Sequence, residues 1–214
     1  MMIPLVVVGA GGFGRETLDV VAALNAQSKD PVFDLLGVID ADPSGLNLER
    51  LRAREVAYLG TEAEWIAQGI SANFVVAIGS PNVRENVARL FREAGFSAAT
   101  IVHPSAGVGA ATKIGAGSIV CGGAQISTNV RVGEHVHINP NATIGHDTIL
   151  ADFVSVNPAA VVSGDVTVDS HVLIGAGAVV LQGLAVGTGS IVGAAACVVR
   201  NVPATTTVKG VPAQ

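Results

Sequence analysis

From Val102 onward the hydrophobic positions recur every six residues. Val102, Val108, Ile114, Val120, Ile126, Val132, Ile138, Ile144, Leu150, Val156, Val162, Val168, Ile174, Val180, Val186, Val192 and Val198 are all aliphatic, seventeen positions without a slip. Four residues after each stands a small or apolar one, among them Ala106, Ala124, Ala142, Ala160, Ala178 and Val202. Neither a helix period of 3.6 nor a strand alternation holds a six-residue register for so long. A fixed short period marks a solenoid, and a hexapeptide period marks a parallel β-helix whose axis the aliphatic side chains fill.

Three hexads to a turn would stack every third hexad on the one before, and the sequence repeats at that interval. Ile138-Asn139-Pro140 returns three hexads later as Val156-Asn157-Pro158, and Asp147 returns as Asp165. Ile114-Gly-Ala-Gly-Ser-Ile-Val and Val186-Gly-Thr-Gly-Ser-Ile-Val lie twelve hexads apart, four turns. The array therefore predicts between five and six coils. Gly-rich corners are expected to supply the φ > 0 positions of the turns, with Asn139 and Asn157 in the same role because Asn tolerates that conformation. No excursion loop breaks the register, so a ligand pocket has to use the outer faces, and a flat face needs a partner to become concave.

The first third follows a different pattern. Residues 5–8 form a continuous apolar run, the mark of a strand buried on both faces. It enters Gly9-Ala10-Gly11-Gly12-Phe13-Gly14 and then a helical pattern through Leu18, Val21 and Leu24. Glycine at 9, 11 and 14 satisfies G-x-G-x-x-G between a strand and a helix, where backbone N–H groups can approach a phosphate. Strands are predicted at 35–39, ending at Asp40, and at 74–78, ending at Gly79. Helices are predicted at 61–68, with Thr61 as N-cap, and at 81–94, with Pro81 at its start and Gly95 past its end. This is a small parallel α/β unit that binds ligands at the carboxyl ends of its strands. Its length supplies one mononucleotide-binding half, which fits one nucleotide diphosphate better than a dinucleotide. The predicted division is 1–98 for this unit and 99–214 for the solenoid.

Composition sharpens the picture in two places. Half of the residues are apolar but only 4% are aromatic, as a narrow axis lined by Val, Ile, Ala and Leu requires. A formal charge of −5 argues against nucleic acid or an anionic membrane as the partner. Ile3–Val8 is too short to span a bilayer, and Cys121 and Cys197 form no paired motif, so a cytoplasmic protein with reduced thiols is expected.

Five histidines are the candidate chemistry: His103, His135, His137, His146 and His171. His146 falls two residues after the axial Ile144, pointing outward beside Asp147, with Gly164 one coil on leaving space. An outward His with room and a neighbouring carboxylate suits general-base work, a solvated surface His being the alternative. His135 and His171 share a corner, but two coils place their backbones roughly 9–10 Å apart, with Phe153 between. Zinc needs nitrogens at about 2.0–2.1 Å, so no metal site is expected.

The glycine-loop α/β unit, the uninterrupted hexads, Ile144-Gly145-His146-Asp147 and the closing run Val198-Val199-Arg200-Asn201-Val202-Pro203 with Gly210-Val211-Pro212-Ala213 together resemble a known family. It is the hexapeptide-repeat nucleotide-sugar acetyltransferases of the bacillosamine and perosamine type, relatives of the sialic-acid O-acetyltransferases. The resemblance implies a Rossmann-like α/β unit followed by a left-handed parallel β-helix. It implies a cytoplasmic homotrimer with active sites between subunits. Its reaction would transfer acetyl from acetyl-CoA to the 4-amino group of a UDP- or GDP-linked 4-amino-4,6-dideoxy sugar for surface glycan synthesis, without a metal. His146 would be the general base and Asp147 its acidic neighbour. The nucleotide sugar would meet Gly11, Gly12, Phe13, Asp40, Ala41 and Gly79, and acetyl-CoA would run past Ser155, Gly164, Ala176 and Ala194. Ser155 stands where some members carry a His facing CoA. Ala41 stands where a second Asp can occur and Phe13 where a His can, which leaves the nucleotide base open. Competing expectations are O-acetylation of a sialic-acid-like sugar and, in another class, an NAD-binding oxidoreductase or sensor.

Overall fold

In the computed structural model, which describes residues 2–27 and 29–214, the chain forms two compact units, Met1–Pro104 and Ser105–Gln214. The first is built on four parallel strands, β1 (Ile3–Val8), β2 (Phe33–Ile39), β3 (Asn73–Val76) and β4 (Ser97–Ala98), in the order β2-β1-β3-β4. Its helices are α1 (Gly12–Gln27), α2 (Gly45–Arg52), α3 (Glu62–Gln68) and α4 (Pro81–Glu93). The apolar run of β1 is buried throughout residues 5–8, and Phe74, Val75, Val76 and Phe91 close the core around it. Thr61 caps α3 in a reciprocal box with Glu64, and Pro81 opens α4, as their sequences predict.

Two elements were not predicted, α2 and β4. Helix α2 begins at Ser44, whose hydroxyl accepts from the Asn47 amide, but it buries only Leu51 and so carries no apolar stripe to be read. From β1 the chain passes to β2 on one side and to β3 on the other. The switch point therefore lies between the carboxyl ends of β1 and β3, where open α/β sheets bind ligands.

The glycine loop after β1 divides into two kinds of residue. A Cβ on Gly14 would come within 1.8 Å of the Gly9 carbonyl oxygen, and Gly9 itself has φ +118° and lies against the Ala77 carbonyl. These two glycines let helix, strand and loop approach. A Cβ on Gly11 or Gly12 would meet nothing within 4 Å, so both face open space.

The second unit is a left-handed parallel β-helix of about six turns. Its two-residue strands stack into three parallel sheets, each strand paired with the one three hexads on, such as Ile144 with Val162 and His137 with Ser155. One sheet has five strands and ends at Lys113–Ile114 and Ala185–Val186. Another has six and ends at Gly107–Val108 and Cys197–Val198. The third includes Ile119–Val120, His137–Ile138, Ser155–Val156, Leu173–Ile174, Ile191–Val192 and Thr207–Val208. Ile138, Ile144, Val156, Val162, Val168, Ile174, Val180, Val186 and Val192 are fully buried on the axis. The polar residues four places after an axial one are satisfied. Ser118 donates to the Gly133 carbonyl and accepts from the Val136 amide, while Thr148 donates to the Ser163 carbonyl.

The corners correct one expectation. Every sixth residue from Ala111 to Ala195 has φ between 53° and 74°, and most are not glycine: Asn129, His135, Asn141, Asp147, Phe153, Asp165 and His171 among them. The left-handed position is the third after each axial residue. Asn139 and Asn157, the first after theirs, do not occupy it. Asn139 is buried instead and donates from Nδ2 to the Val156 carbonyl at 3.0 Å. Glycines at this first position serve close approach, since a Cβ on Gly145 would lie 2.3 Å from the Gly164 amide nitrogen. Past Val198 the coil shortens by two positions. Val202 bridges to Val186 and Val208 pairs with Val192, where a full coil would have set Ala204 against Val186 and Gly210 against Val192. The left-handed residue moves with them, to Thr205.

This packing sets the cost of substitutions on the axis and in the glycine loop. Ile144→Ala should lose about 2–5 kcal/mol in urea denaturation, because the ladder prevents the axis from collapsing onto the void. Gly14→Ala should lose about 1–3 kcal/mol by the same measurement, since backbone stands where its methyl would go. Gly11→Ala should stay within about 0.5 kcal/mol of the parent, as an open surface position does.

Candidate functional site

In the first unit the residues predicted to hold a nucleotide gather at the carboxyl ends of the strands. Asp40 follows β2 directly, and its Oδ2 accepts from the Ala10 amide at 2.7 Å while Oδ1 accepts from the Asp42 amide at 3.0 Å. Its carboxylate thus staples the glycine loop to the β2 loop. Each oxygen keeps a lone pair for a ligand donor. Arg15 supports the same loop, donating to the Ala10 carbonyl and to Asn47 Oδ1.

Beside Asp40 lies a cavity of about 410 Å³. Ile78, Val83, Val87 and Leu90 give it an apolar wall, and Asp40, Asp42, Glu62 and Asn86 a polar rim, with Ala41 also lining it. Asp40 and Ala41 are therefore brought together with the neighbour of Gly79, whereas Gly11, Gly12 and Phe13 lie outside this cavity. The small side chain of Ala41 leaves the rim open at that point.

Sequence reading missed Arg84. It is fully buried in α4, and its guanidinium donates to the carbonyls of Ile78, at 2.7 Å, and Gly79, at 3.2 Å. Burial pulls its pKa down to about 9, so it remains charged at neutral pH. Arg84 holds the loop after β3 against the helix. The available signal is its period: Arg84, Ala88 and Phe91 form the inward stripe of α4.

In the second unit His146 and Asp147 occupy an exposed corner. His146 Nδ1 lies 2.7 Å from Asp147 Oδ2, with the side chains 61% and 51% exposed. Asp147 has φ 60°, the left-handed corner position, and its amide donates to the Thr128 carbonyl on the preceding coil. The bond to His146, and next the one from Asn129, hold the Asp147 carboxyl below its ordinary range. An ionised carboxylate only accepts, so Nδ1 carries a proton, and in the neutral ring the lone pair is on Nε2. A Cβ on Gly164 would lie 2.6 Å from that Nε2, so any side chain there would displace the ring. Glycine on the next coil is what lets the imidazole lie where it does. This arrangement can take a proton from a group placed at Nε2.

The predicted acyl-donor residues are spread differently. Ala176 and Ala194 are exposed and stacked one coil apart, at the corner before the sheet containing Val179–Val180. Gly164 stands in the corner after that sheet, one prism face away. Ser155 lies on the preceding sheet between His137 and Leu173 and is 2% exposed, so it does not share a surface with the other three. His135, Phe153 and His171 form a stack of rings, with centroids 5.4 and 5.3 Å apart, and the phenyl ring fills the space between the imidazoles. Among the described residues no group of three or more His, Cys, Asp or Glu is placed to hold a metal ion.

Comparison with known proteins gives a consistent picture. Residues 4–91 match the family model described as the PglD N-terminal domain. No curated protein matches the sequence. Among solved structures, PerB from Caulobacter crescentus in complex with CoA and GDP-perosamine is 30% identical. The match covers 100% of this chain and 97% of that one with a TM-score of 0.87. The acetyltransferase domain of PglB from Neisseria gonorrhoeae, in complex with acetyl coenzyme A, is 27% identical over 100% and 99% of the two chains, TM-score 0.86. WeeI from Acinetobacter baumannii is 26% identical over 100% and 99%, TM-score 0.84. With a small parallel α/β unit, a hexapeptide prism and an outward His–Asp pair over a glycine, the chain belongs to the family of hexapeptide-repeat nucleotide-sugar N-acetyltransferases.

Proposed function

We propose that the protein transfers the acetyl group of acetyl-CoA to the 4-amino group of a nucleotide-diphosphate-linked 4-amino-4,6-dideoxy sugar. The observation that carries this reading is the His146–Asp147 pair, held by a 2.7 Å contact with Nε2 facing the open side of Gly164. The neutral sugar amine attacks the thioester carbonyl carbon, and Nε2 accepts its proton as the C–N bond forms. The tetrahedral oxyanion then collapses, the C–S bond breaks, and the departing thiolate of CoA takes the proton from the imidazolium, which returns the base to its neutral form. Asp147, ionised at neutral pH, stabilises the imidazolium formed in between.

The nucleotide half of the substrate belongs to the first unit. Gly11 and Gly12 face open space at the start of α1, where the first amides of a helix have no internal partner and its dipole favours the negative charge of a diphosphate. The cavity beside Asp40 suits a planar base, with aliphatic side chains for its faces and polar groups for its edge. The acyl donor runs along the prism past Gly164, Ala176 and Ala194. The reading includes a homotrimer with sites completed between subunits and a cytoplasmic role in surface glycan synthesis. No helix among the described residues is long and apolar enough to cross a membrane.

The test is turnover with acetyl-CoA and paired amino and hydroxy sugars linked to UDP or GDP. Acetylation of the amino sugar is expected, and His146→Ala should lower kcat by about 10²–10⁴-fold with folding intact. Thermal shifts provide a second check, since a ligand at a hundred times its Kd adds about 2.7 kcal/mol of stability. A response to NAD and none to acetyl-CoA would overturn the assignment.

A further inference from the structure

The corner that carries His146 rests on the corner one coil below, and the two touch through side chains. Asn129 and Asp147 are one coil apart in the same column and both stand in the left-handed position, with φ 59° and 60°. Asn129 Nδ2 donates to Asp147 Oδ1 at 3.1 Å, while Asp147 Oδ2 receives the Nδ1–H of His146. Each carboxylate oxygen thus has one side-chain partner, one on the coil below and one on its own coil. Two anchored oxygens fix the plane of the carboxylate, which a single contact leaves free to rotate.

We propose that Asn129 is a positioning residue for the general base. By holding Asp147 Oδ1, it keeps Oδ2 aimed at Nδ1 and so keeps the imidazole in the tautomer whose unprotonated Nε2 lies over Gly164. The inference rests on the reading of His146 as the base.

The geometry requires this fixation for a physical reason. His146 and Asp147 are adjacent in sequence and both are more than half exposed, so water competes for every hydrogen bond of the pair. The Asp147 side chain turns between two fixed stretches of backbone. Its own amide is held by the Thr128 carbonyl, and the His146 carbonyl by the Asp165 amide. The orientation of the Asn129 amide is settled by its partner, since an ionised carboxylate can only accept and Nδ2 must face it. By position in the coil, the neighbouring charged residues are Asp165, in the same corner column one coil on, and Arg131, two positions past Asn129 on its own coil.

Asn also tolerates a left-handed corner, and that purely structural role is separable. Gly serves such a corner equally well, and Asp keeps the shape of Asn while opposing one acceptor to another. Asn129→Gly should therefore fold with unchanged Tm and lose about 10-fold in kcat, with KM for both substrates within about twofold, as loss of orientation predicts. Asn129→Asp should lose more at neutral pH and move the acidic limb of the kcat/KM profile to higher pH, because a second carboxylate favours the protonated pair. In ¹⁵N-labelled protein the His146 ring should shift from one tautomer to a mixture in Asn129→Gly, a readout independent of turnover. Parental kcat, pH profile and tautomer in both variants, alongside a crippled His146→Ala, would overturn the role of Asn129 alone. A fully active His146→Ala would overturn the base and this inference together.

Discussion

Everything in the second unit depends on one ladder. Amides at and just after each strand donate to carbonyls of the next coil, as Thr143 does to Ala160 at 2.9 Å and Gly145 to Val162 at 2.7 Å. Each coil is thereby fixed on the next, and residues three hexads apart stand above one another at the spacing of β-strands, about 4.8 Å. A slip of one position would turn the axial set outward and expose it, so the register cannot drift. An outward side chain then has only two vertical neighbours, both known from the sequence. That is how Gly164 comes to lie against His146 and Asn129 beneath Asp147.

The same ladder needs a left-handed residue in each corner, which costs an ordinary L-residue roughly 1–2 kcal/mol. Asn and Asp reduce that strain through local hydrogen bonding, and they are also the side chains best able to pass a hydrogen bond from coil to coil. In the column holding Asn129, Asp147 and Asp165 the structural requirement and the chemistry coincide. Ala111 heads that column and Gly183 follows it, residues that satisfy the corner and nothing else. His135, Phe153 and His171 satisfy another column by stacking their rings. Corner residues are thus recruited to bonding, stacking or plain turning without altering the coil that carries them.

The architecture is legible because it is periodic. Seventeen aliphatic positions state the coil, and the three-hexad interval alone places Gly164 beside His146. The same interval places Asn129 under Asp147 once polar corner residues are compared across coils as the apolar ones are. Asn139 and Asn157 mislead because propensity for the left-handed region says which residues can occupy a corner, not which of its four places needs them. Helix α2 escapes because seven of its eight residues remain outside the core. Arg84 escapes because a charged residue early in a helix reads as solvated, whereas here it is the inward residue that ties two carbonyls. The shortened coil after Val198 stands beside the C-terminal segment, whose Ala213 amide donates to the Cys197 carbonyl. No repeat announces it.

Magnitudes decide what the His–Asp pair contributes by itself. With both side chains more than half exposed, the surrounding dielectric is close to that of water. Water then screens the two charges from each other, and an exposed pair of this kind gains little net attraction. An open corner therefore offers a base of fixed tautomer and direction but little field. The strength of the field depends on what covers the corner when substrate is bound, because excluding water strengthens every interaction inside. Rigid columns suit that division. The coil holds Nε2 in place before anything binds, and the electrostatic gain arrives only with the groups that bury it. Substrate binding and chemistry are joined at that step, and the orientation of one exposed carboxylate is the part the chain secures in advance.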